Sequence, residues 1–499
     1  MNQFPTLARR GFILPTRLRA SYEGAGTGRR AASWKTSASG PNATLLPNLQ
    51  RLRDRSRAAF RNDAYGFSVI DKMVSNHIGT GITPRPQISD KTLRIAMQDL
   101  WTDWTDEADF DGVTDFYGLQ ALAANCFFMA GECFGRFVQH RITDDYSVPL
   151  QVQLLAPEFV PLNKNEKLTN GNEIKAGIEF DRSGKRVAYH VCKRHPKESG
   201  GSEMDTVRVD ASEMVHVFEP FEPGQIRGAP ILTPVLLRLK TLDDLDDAVV
   251  YRQEVANLFA GFIRKTGGEP SVSASTGQPD NLLSGGTDIS IEPGTMQELL
   301  PGEDVTFSDP PDAGSNYAAL MKQQLQAVAA GVGIPYELLT GDTDGISDRV
   351  LRIIVNEFRR RVEMRQFGIF VHQFCRPVRN RWIDVAFFSG ALDLPDYATQ
   401  RRVCRRTRWV PQGWAYMHPV QDVTSKQLEV RSGFISRSET VLQRGYDSEV
   451  IDEENRSDNE RADQLGLRYD SDGRKSRLSP ASDSTIASEE IPEDKEFPS

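Results

Sequence analysis

The sequence predicts an α+β fold, and three observations point there. Apolar residues before about residue 131 recur at helical spacing. Between about 132 and 220 the apolar period changes to two, the period of strands. Two long helical runs, 234–263 and 349–388, then flank stretches broken by Gly, Pro and Ser. A length of 499 residues allows two to four domains.

In chain order, residues 1–45 are rich in Arg, Gly, Ser, Ala and Thr with little apolar periodicity, which predicts a disordered basic tail. A helix is expected near 50–78, from Leu52, Phe60, Phe67, Ile70, Met73 and Ile78, stopping at Gly79. A second helix covers about 90–108. A third follows the Asp111–Gly112 turn, where Phe116, Leu119, Ala123, Phe127 and Ala130 form one stripe. The strand region contains a hairpin signal, Asp181-Arg182-Ser183-Gly184, between GIEF and VAYH. Pro230 and Pro234 open the long helix that runs to Ile263; proline suits a helix's first turn. Residues 264–315 break it and include strand-like pieces, DISIEPG and EDVTFSDP. Helix resumes at 316–331, a loop (GIPYELLTGDTDGISD) follows, and another long helix is expected over 349–388 with a kink at Pro377. The stretch 396–466 predicts short helices around WVPQGWAYMHP. From about Leu467 the chain is Ser/Asp/Glu/Pro-rich, which predicts a disordered acidic tail.

Charge is unevenly spread. The net value is −9, yet residues 1–62 hold 12 Lys+Arg against 2 Asp+Glu, and residues 447–499 hold 7 against 16. A protein that grips nucleic acid through its phosphates is basic over the binding face. This chain is not basic overall, a balance that suits sliding past DNA better than gripping it. No window approaches the ~18 apolar residues of a membrane span. MNQFPTLARRGFILP has no long apolar core, so no signal peptide is indicated. Five scattered cysteines without CxxC spacing indicate neither a disulfide framework nor a zinc site, and a reducing compartment fits best.

No catalytic apparatus emerges from the motifs. There is no HExxH, no GxSxG and no GxxxxGK[ST], which removes the main support for metalloprotease, serine-hydrolase and P-loop ATPase chemistry. Gly79-Thr80-Gly81 is a helix-ending turn. Asp109-Phe110-Asp111-Gly112 and Asp342-Thr343-Asp344-Gly345 resemble starts of calcium loops, but the twelfth positions are Gln120 and Ile353, so turn and capping roles are expected. Asp243, Asp244, Asp246 and Asp247 have no partner at a metal-site spacing and predict a solvated or lumen-facing acidic helix face. The best phosphate-contact candidates are Arg349, Arg352, Arg359, Arg360, Arg361 and Arg365; the alternative is a helix surface paired with Glu357 and Glu363. Catalytic, cofactor and metal residues are therefore expected to be none.

Five blocks resemble a known family: RSRAAFRNDAYGFSVIDKMVSNHIGTGITPRPQ (55–87), DFDGVTDFYGLQALAANCFFMAGECFGRF (109–137), VHVFEPFEPGQIRGAPILTPVLLRLKTLDDLDDA (215–248), AAGVGIPYELLTGD (329–342) and WVPQGWAYMHPVQD (409–422). In this order they are similar to the portal proteins of lambda-type tailed phages, over about residues 50–465. TDGISD after the TGD, and His418-Pro419 after the tryptophan block, depart from the family's usual residues.

The resemblance implies a portal-type fold: wing 46–231, stem helix 232–263, clip 264–315, second stem helix 316–331, tunnel loop 332–348, kinked wing/crown helix 349–390 and crown 391–466. It implies a non-enzymatic ring, typically of twelve subunits, at one capsid vertex. Double-stranded DNA would pass through it without sequence specificity during packaging and ejection. The terminase large subunit, head–tail connector proteins and major capsid or scaffold proteins would be its partners. Assembly would take place in the bacterial host cytoplasm, away from any membrane, and the product would reside in the virion. Asp342, Asp344, Asp348 and Arg349 are then the candidates to face the channel, and Leu236, Leu239, Val250 and Leu258 the candidates for contact with a neighbour or the second stem helix. The alternatives are another head–tail joining or capsid protein, or a packaging-associated nuclease or ATPase.

Overall fold

Two helices that the sequence runs together open the structure. The computed structural model describes residues 38–258, 262–265, 303–306, 317–394, 396–415, 418–469, 472 and 474. Helix α1 (Pro41–Asn62) begins inside the stretch expected to be disordered, with Pro41 at the helix start where its missing N–H costs nothing. Asp63 leaves helical geometry, and its side chain accepts a hydrogen bond from Gly66 N (2.7 Å), capping α2 (Ala64–His77). A Cβ at Gly66 would lie 2.9 Å from Ala59 O, so a glycine is what lets the two helices turn this tightly. The single helix expected over 50–78 is thus two.

Strand β1 (Thr83–Pro86) leads to α3 (Lys91–Glu107) and α4 (Phe116–Ala130). Asp109 closes the turn before α4 by accepting from the backbone N–H groups of Asp111, Val113 and Thr114, a capping role and not an ion site. Helix α4 ends at Gly131 (φ 90°), where a Cβ would come within 2.4 Å of the Ala229 backbone. Segment 228–230 is thereby pressed onto the end of α4.

The period-two region forms two antiparallel sheets. In one, β2 (Glu132–Gln139) sits between β3 (Leu150–Leu155) and β9 (Met214–Phe218). The other runs, in order, β4 (Glu166–Lys167), β5 (Glu173–Lys175), β6 (Ile178–Phe180), β7 (Arg186–Cys192) and β8 (Thr206–Asp210). The hairpin turn falls where expected: Asp181 Oδ1 accepts from the backbone N–H groups of Ser183 and Lys185, both at 2.9 Å.

Helix α5 (Leu236–Leu258) is shorter than the periodicity implies. Phe262–Lys265 leaves helix to form β10, paired antiparallel with β11 (Glu303–Thr306). The expected strand DISIEPG lies outside the described residues. Helix α6 (Tyr317–Val332) and the short α7 (Tyr336–Thr340) follow, then α8 (Asp348–Arg365). The long helix does continue to Phe388, but its irregularity precedes the proline: Gln366–Cys375 is π-helical, and Pro377 opens the α-helical segment α9 (Arg376–Phe388). Widening the helix just before a residue that lacks an N–H relieves the lost bond and the ring clash.

The C-terminal part holds α10 (Tyr397–Cys404), β12 (Thr407–Val410), α11 (Pro419–Arg431), α12 (Arg437–Gln443) and α13 (Ser448–Leu465). Trp409-Val410 is strand where short helices were expected, because β12 pairs with β1 across the whole chain (Thr83↔Val410, Pro86↔Thr407).

One core joins most of these elements. Its centre is aromatic: Trp101, Trp104, Phe116, Phe374 and Trp382 are fully buried or nearly so, with the Phe116 and Phe374 rings stacked at 5.9 Å. Fully burying each such side chain stabilises by roughly 1.5–3 kcal/mol. A smaller core of Phe134, Leu155, Val160, Ile178, Tyr189, Val191 and Met214 joins the two sheets. Among the described residues no helix is long and apolar enough to cross a membrane.

Candidate functional site

The loop between α7 and α8 is built by local chemistry. Gly341 ends α7 in left-handed geometry (φ 77°), Gly345 bends the chain again (φ 74°), and Ser347 caps α8. Asp342 is the pin. It accepts from Lys322 Nζ of α6 (3.0 Å), from the Tyr336 hydroxyl of α7 (2.8 Å) and from its own loop at Asp344 N (3.1 Å). The bonds from Lys322, Asp344 N–H and Tyr336, in that order, pull its carboxyl down to about 2. Lys322 also lies over the Tyr336 ring, 5.4 Å from its centroid.

The four loop candidates therefore divide. Asp342 is engaged in holding the loop. Asp348 Oδ2 meets His418 Nε2 at 2.7 Å and Arg352 at 3.7 Å, so the start of α8 is tied to the start of α11. Asp344 and Arg349 are exposed, and among the described residues neither makes an ion pair. These two are the charges the loop presents.

The helix candidates divide as well. Leu236 and Leu239 are buried in the chain's own core cluster, together with Met321, Leu325 and Val328 of α6. Val250 is 57 % exposed. Leu258 is the last residue of α5. The acidic run is a solvated face held by local pairs: Lys240 reaches Asp244 (2.5 Å) and Asp243 (3.7 Å), and the Tyr317 hydroxyl bonds Asp246. Among the described residues no group of three or more His, Cys, Asp or Glu could hold a metal.

Most of the arginine run on α8 is occupied. Arg359 lies over the Trp414 ring (4.9 Å) and donates to Ala415 O (3.2 Å). Arg360 pairs with Glu357 (3.7 Å), and Arg365 is buried against Glu219 (3.1 Å). Arg361 packs so closely on Gly333 that a Cβ there would meet it at 1.8 Å. Glu363 takes the Trp414 indole N–H (3.3 Å) and not an arginine. Arg360 fits the paired-surface alternative, and Arg352 pairs one turn back with Asp348; Arg359 and Arg365 find aromatic, backbone and distant acidic partners. Between α8 and segment 411–444 these contacts frame an open cleft of about 800 Å³.

Sequence reasoning missed a buried charge network. Glu132 of β2, with no exposure, accepts from Arg53 of α1, from Arg227 Nε (2.7 Å), from Gly228 N (3.0 Å) and from His216 Nε2 of β9 (3.1 Å). Burial alone would raise the Glu132 carboxyl, but the guanidiniums of Arg227 and Arg53 hold it well below the usual range. Burial drives His216 down to about 4, so it is neutral near pH 7. Arg227 also donates to Ala176 O (2.7 Å), Val160 O (3.1 Å) and Pro157 O (3.2 Å). No local spacing signals this network, whose partners lie 79 and 95 positions apart.

The family model "Phage portal protein, lambda family" matches residues 27–366. The chain is 23 % identical over 455 residues to a probable portal protein of Halomonas phage phiHAP-1, covering 87 % of this chain and 85 % of that one. It is 22 % identical over 477 residues to the portal protein of Escherichia phage N15, covering 86 % and 87 %. A chain in the neck of an empty GTA particle matches with a TM-score of 0.41 and 14 % identity, over 84 % of this chain and 98 % of that one. The family match spans α1 through α8, including the paired helices α5 and α6 and the loop pinned by Asp342: this chain belongs to the lambda family of phage portal proteins.

Proposed function

We propose that the chain assembles as a ring, of twelve subunits as is typical of the family, at one vertex of a phage capsid. Through it double-stranded DNA is packaged and later ejected. The observation that carries this reading is the family match over 27–366. In this reading α5 and α6 form the stem, and residues 264–315, which include β11 and the end of β10, form the clip that meets the terminase large subunit and then the connector proteins. The loop at 341–349 faces the channel. Major capsid or scaffold proteins surround the ring, which is assembled in the host cytoplasm and retained in the virion.

The loop's electrostatics support a conduit in preference to a grip. A channel wall that held phosphates tightly would stall DNA, because each neutralised phosphate adds to the affinity. Asp344 repels phosphate, and Arg349, five positions along the chain, attracts it. Alternation of this kind flattens the potential that a sliding duplex meets. No sequence readout is required, and the chain's role is structural and not catalytic.

In vitro packaging tests the proposal. Heads assembled with the chain are expected to take up and protect genome-length DNA when terminase and ATP are added, and heads assembled without it are not. Equal uptake by both would overturn the proposed function.

A further inference from the structure

Helices α1 and α5 leave an apolar groove of about 470 Å³ between them. Ala58 and Ala59 of α1 form one wall, and Leu236, Leu237 and Leu239 of α5 the other. Leu236 and Leu239 are buried, whereas Leu237, 74 % exposed, stands at the rim. Asp63 and Asp243, the last lining residue of each helix, share one end. They are close enough that Asp243 adds to the burial that pushes the Asp63 carboxyl up. Asp244, Asp246 and Asp247 follow directly on α5. Two cations also line the groove. Lys240 is taken by Asp244 (2.5 Å) and Asp243 (3.7 Å), and Arg55 is exposed and makes no ion pair among the described residues. Arg238 is drawn away to Gln324 of α6. The groove therefore suits an apolar segment that brings positive charge to its acidic end.

Three stretches of more than twenty residues lie outside the described ones, and their charges separate them. Residues 266–302 hold no Lys or Arg against 5 Asp+Glu, and residues 475–499 hold 3 against 6. Residues 1–37 hold 7 against 1, so this stretch alone is positive. Within it Phe12-Ile13-Leu14 is the one run of three large apolar residues. Arg9, Arg10, Arg17 and Arg19 flank that run, and no acid precedes Glu23. The tether also fits. Ala58 lies 18 positions beyond Gly40, about 27 Å along α1. The 26 positions from Leu14 to Gly40 are rich in Gly, Ser and Ala, and chains of that length and composition reach about 28 Å on average. A tether matched to its span holds the segment at the groove at an effective concentration on the order of millimolar.

We infer that Phe12-Ile13-Leu14 of the chain's own N-terminal segment docks in the groove between α1 and α5, with Arg17 beside Asp63 and Asp243. The family match begins at residue 27, so the docked segment precedes it. A subunit can dock its own segment whether or not it sits in a ring, and the inference stands apart from the ring reading.

Brief trypsin treatment of the full chain, read by mass spectrometry, tests it. Cleavage after Arg17 is compared with cleavage after Arg30, and both are normalised to the same sites in a free peptide spanning residues 7–35. In the parent, cleavage after Arg17 is expected to be slowed about tenfold or more, and cleavage after Arg30 to be unchanged. Leu237→Glu and Asp243→Lys are each expected to remove the protection while circular dichroism stays that of the parent. In parallel, the double variant Ile13→Cys/Leu237→Cys is expected to form an internal 13–237 disulfide on mild oxidation, while the two single variants oxidised together are not expected to link to each other. A parent cut after Arg17 as fast as the free peptide would overturn the inference. So would protection that persists in both Leu237→Glu and Asp243→Lys, which would place the segment elsewhere. Linked pairs from the mixed single variants would assign the groove to a second copy's segment and overturn the docking stated here.

Discussion

Replacing Glu132 by glutamine is expected to be among the most damaging single changes outside the hydrophobic core. Glu132, Arg53 and Arg227 all have side chains with no solvent exposure, and the carboxylate is the acceptor both guanidiniums share. Glutamine keeps the shape and one acceptor oxygen but removes the charge. Two buried cations are then left facing each other without a counter-ion in contact. Breaking a buried pair in this way costs about 3–5 kcal/mol, a large share of a folded domain's stability of about 5–15 kcal/mol. Glu158→Gln is the control. Its partner Arg57 has a side chain 17 % exposed, so water can reach that cation, and a smaller loss is expected. Urea unfolding of the monomeric proteins, followed by tryptophan fluorescence, measures both. A loss below about 1 kcal/mol for Glu132→Gln, the range of a surface pair, would refute the role assigned to this carboxylate.

Three further expectations can be checked with similar means. Burial holds His216 down at about 4 and His77 at about 3, so between pH about 6.5 and those values the unfolded chain binds more protons. Stability is thus full above pH 6.5 and drains as pH falls, by about 3 kcal/mol from His216 by pH 4; a parent whose melting temperature is flat from pH 7 to 4.5 would contradict this. Leu239→Asp should unfold the subunit, since a charge in the core costs several kcal/mol, whereas Val250→Asp should leave circular dichroism and melting unchanged; equal melting of the two would count against the burial described. Asp342→Asn should loosen the 341–349 loop to limited proteolysis, while Asp344→Lys should leave it intact and slow packaging at low salt, less so as salt rises. A salt-independent effect of Asp344→Lys, or none, would refute its place in the channel.

What was legible in the sequence was local. The α4 stripe, the 181–184 hairpin and the Gly79 helix stop depend on neighbours within a few positions, and each lies where its pattern predicts. The break at Asp63 was hidden, because the apolar stripe continues across it and only the approach of Gly66 to Ala59 shows why the chain bends. The pairing of β1 with β12 joins residues more than 300 positions apart, and no spacing rule reaches that far. Amphipathicity said that Leu236 and Leu239 are covered but not by what; the answer is the chain's own core. At the loop, the acids were visible, but their inequality was not. Asp342 is bound by Lys322 and Tyr336 because α6 and α7 deliver those groups to it, while Asp344 is left in water. The family resemblance came through because five blocks in fixed order carry more information than any single motif.

Electron microscopy of the purified chain, in negative stain and then in vitrified ice, tests the central claim most directly. The account predicts ring-shaped particles with rotational symmetry and an axial hole about as wide as a DNA duplex, with the 341–349 loop at its wall. Particles that remain single subunits at every protein and salt concentration tried, or that close into assemblies without an axial hole, would contradict it.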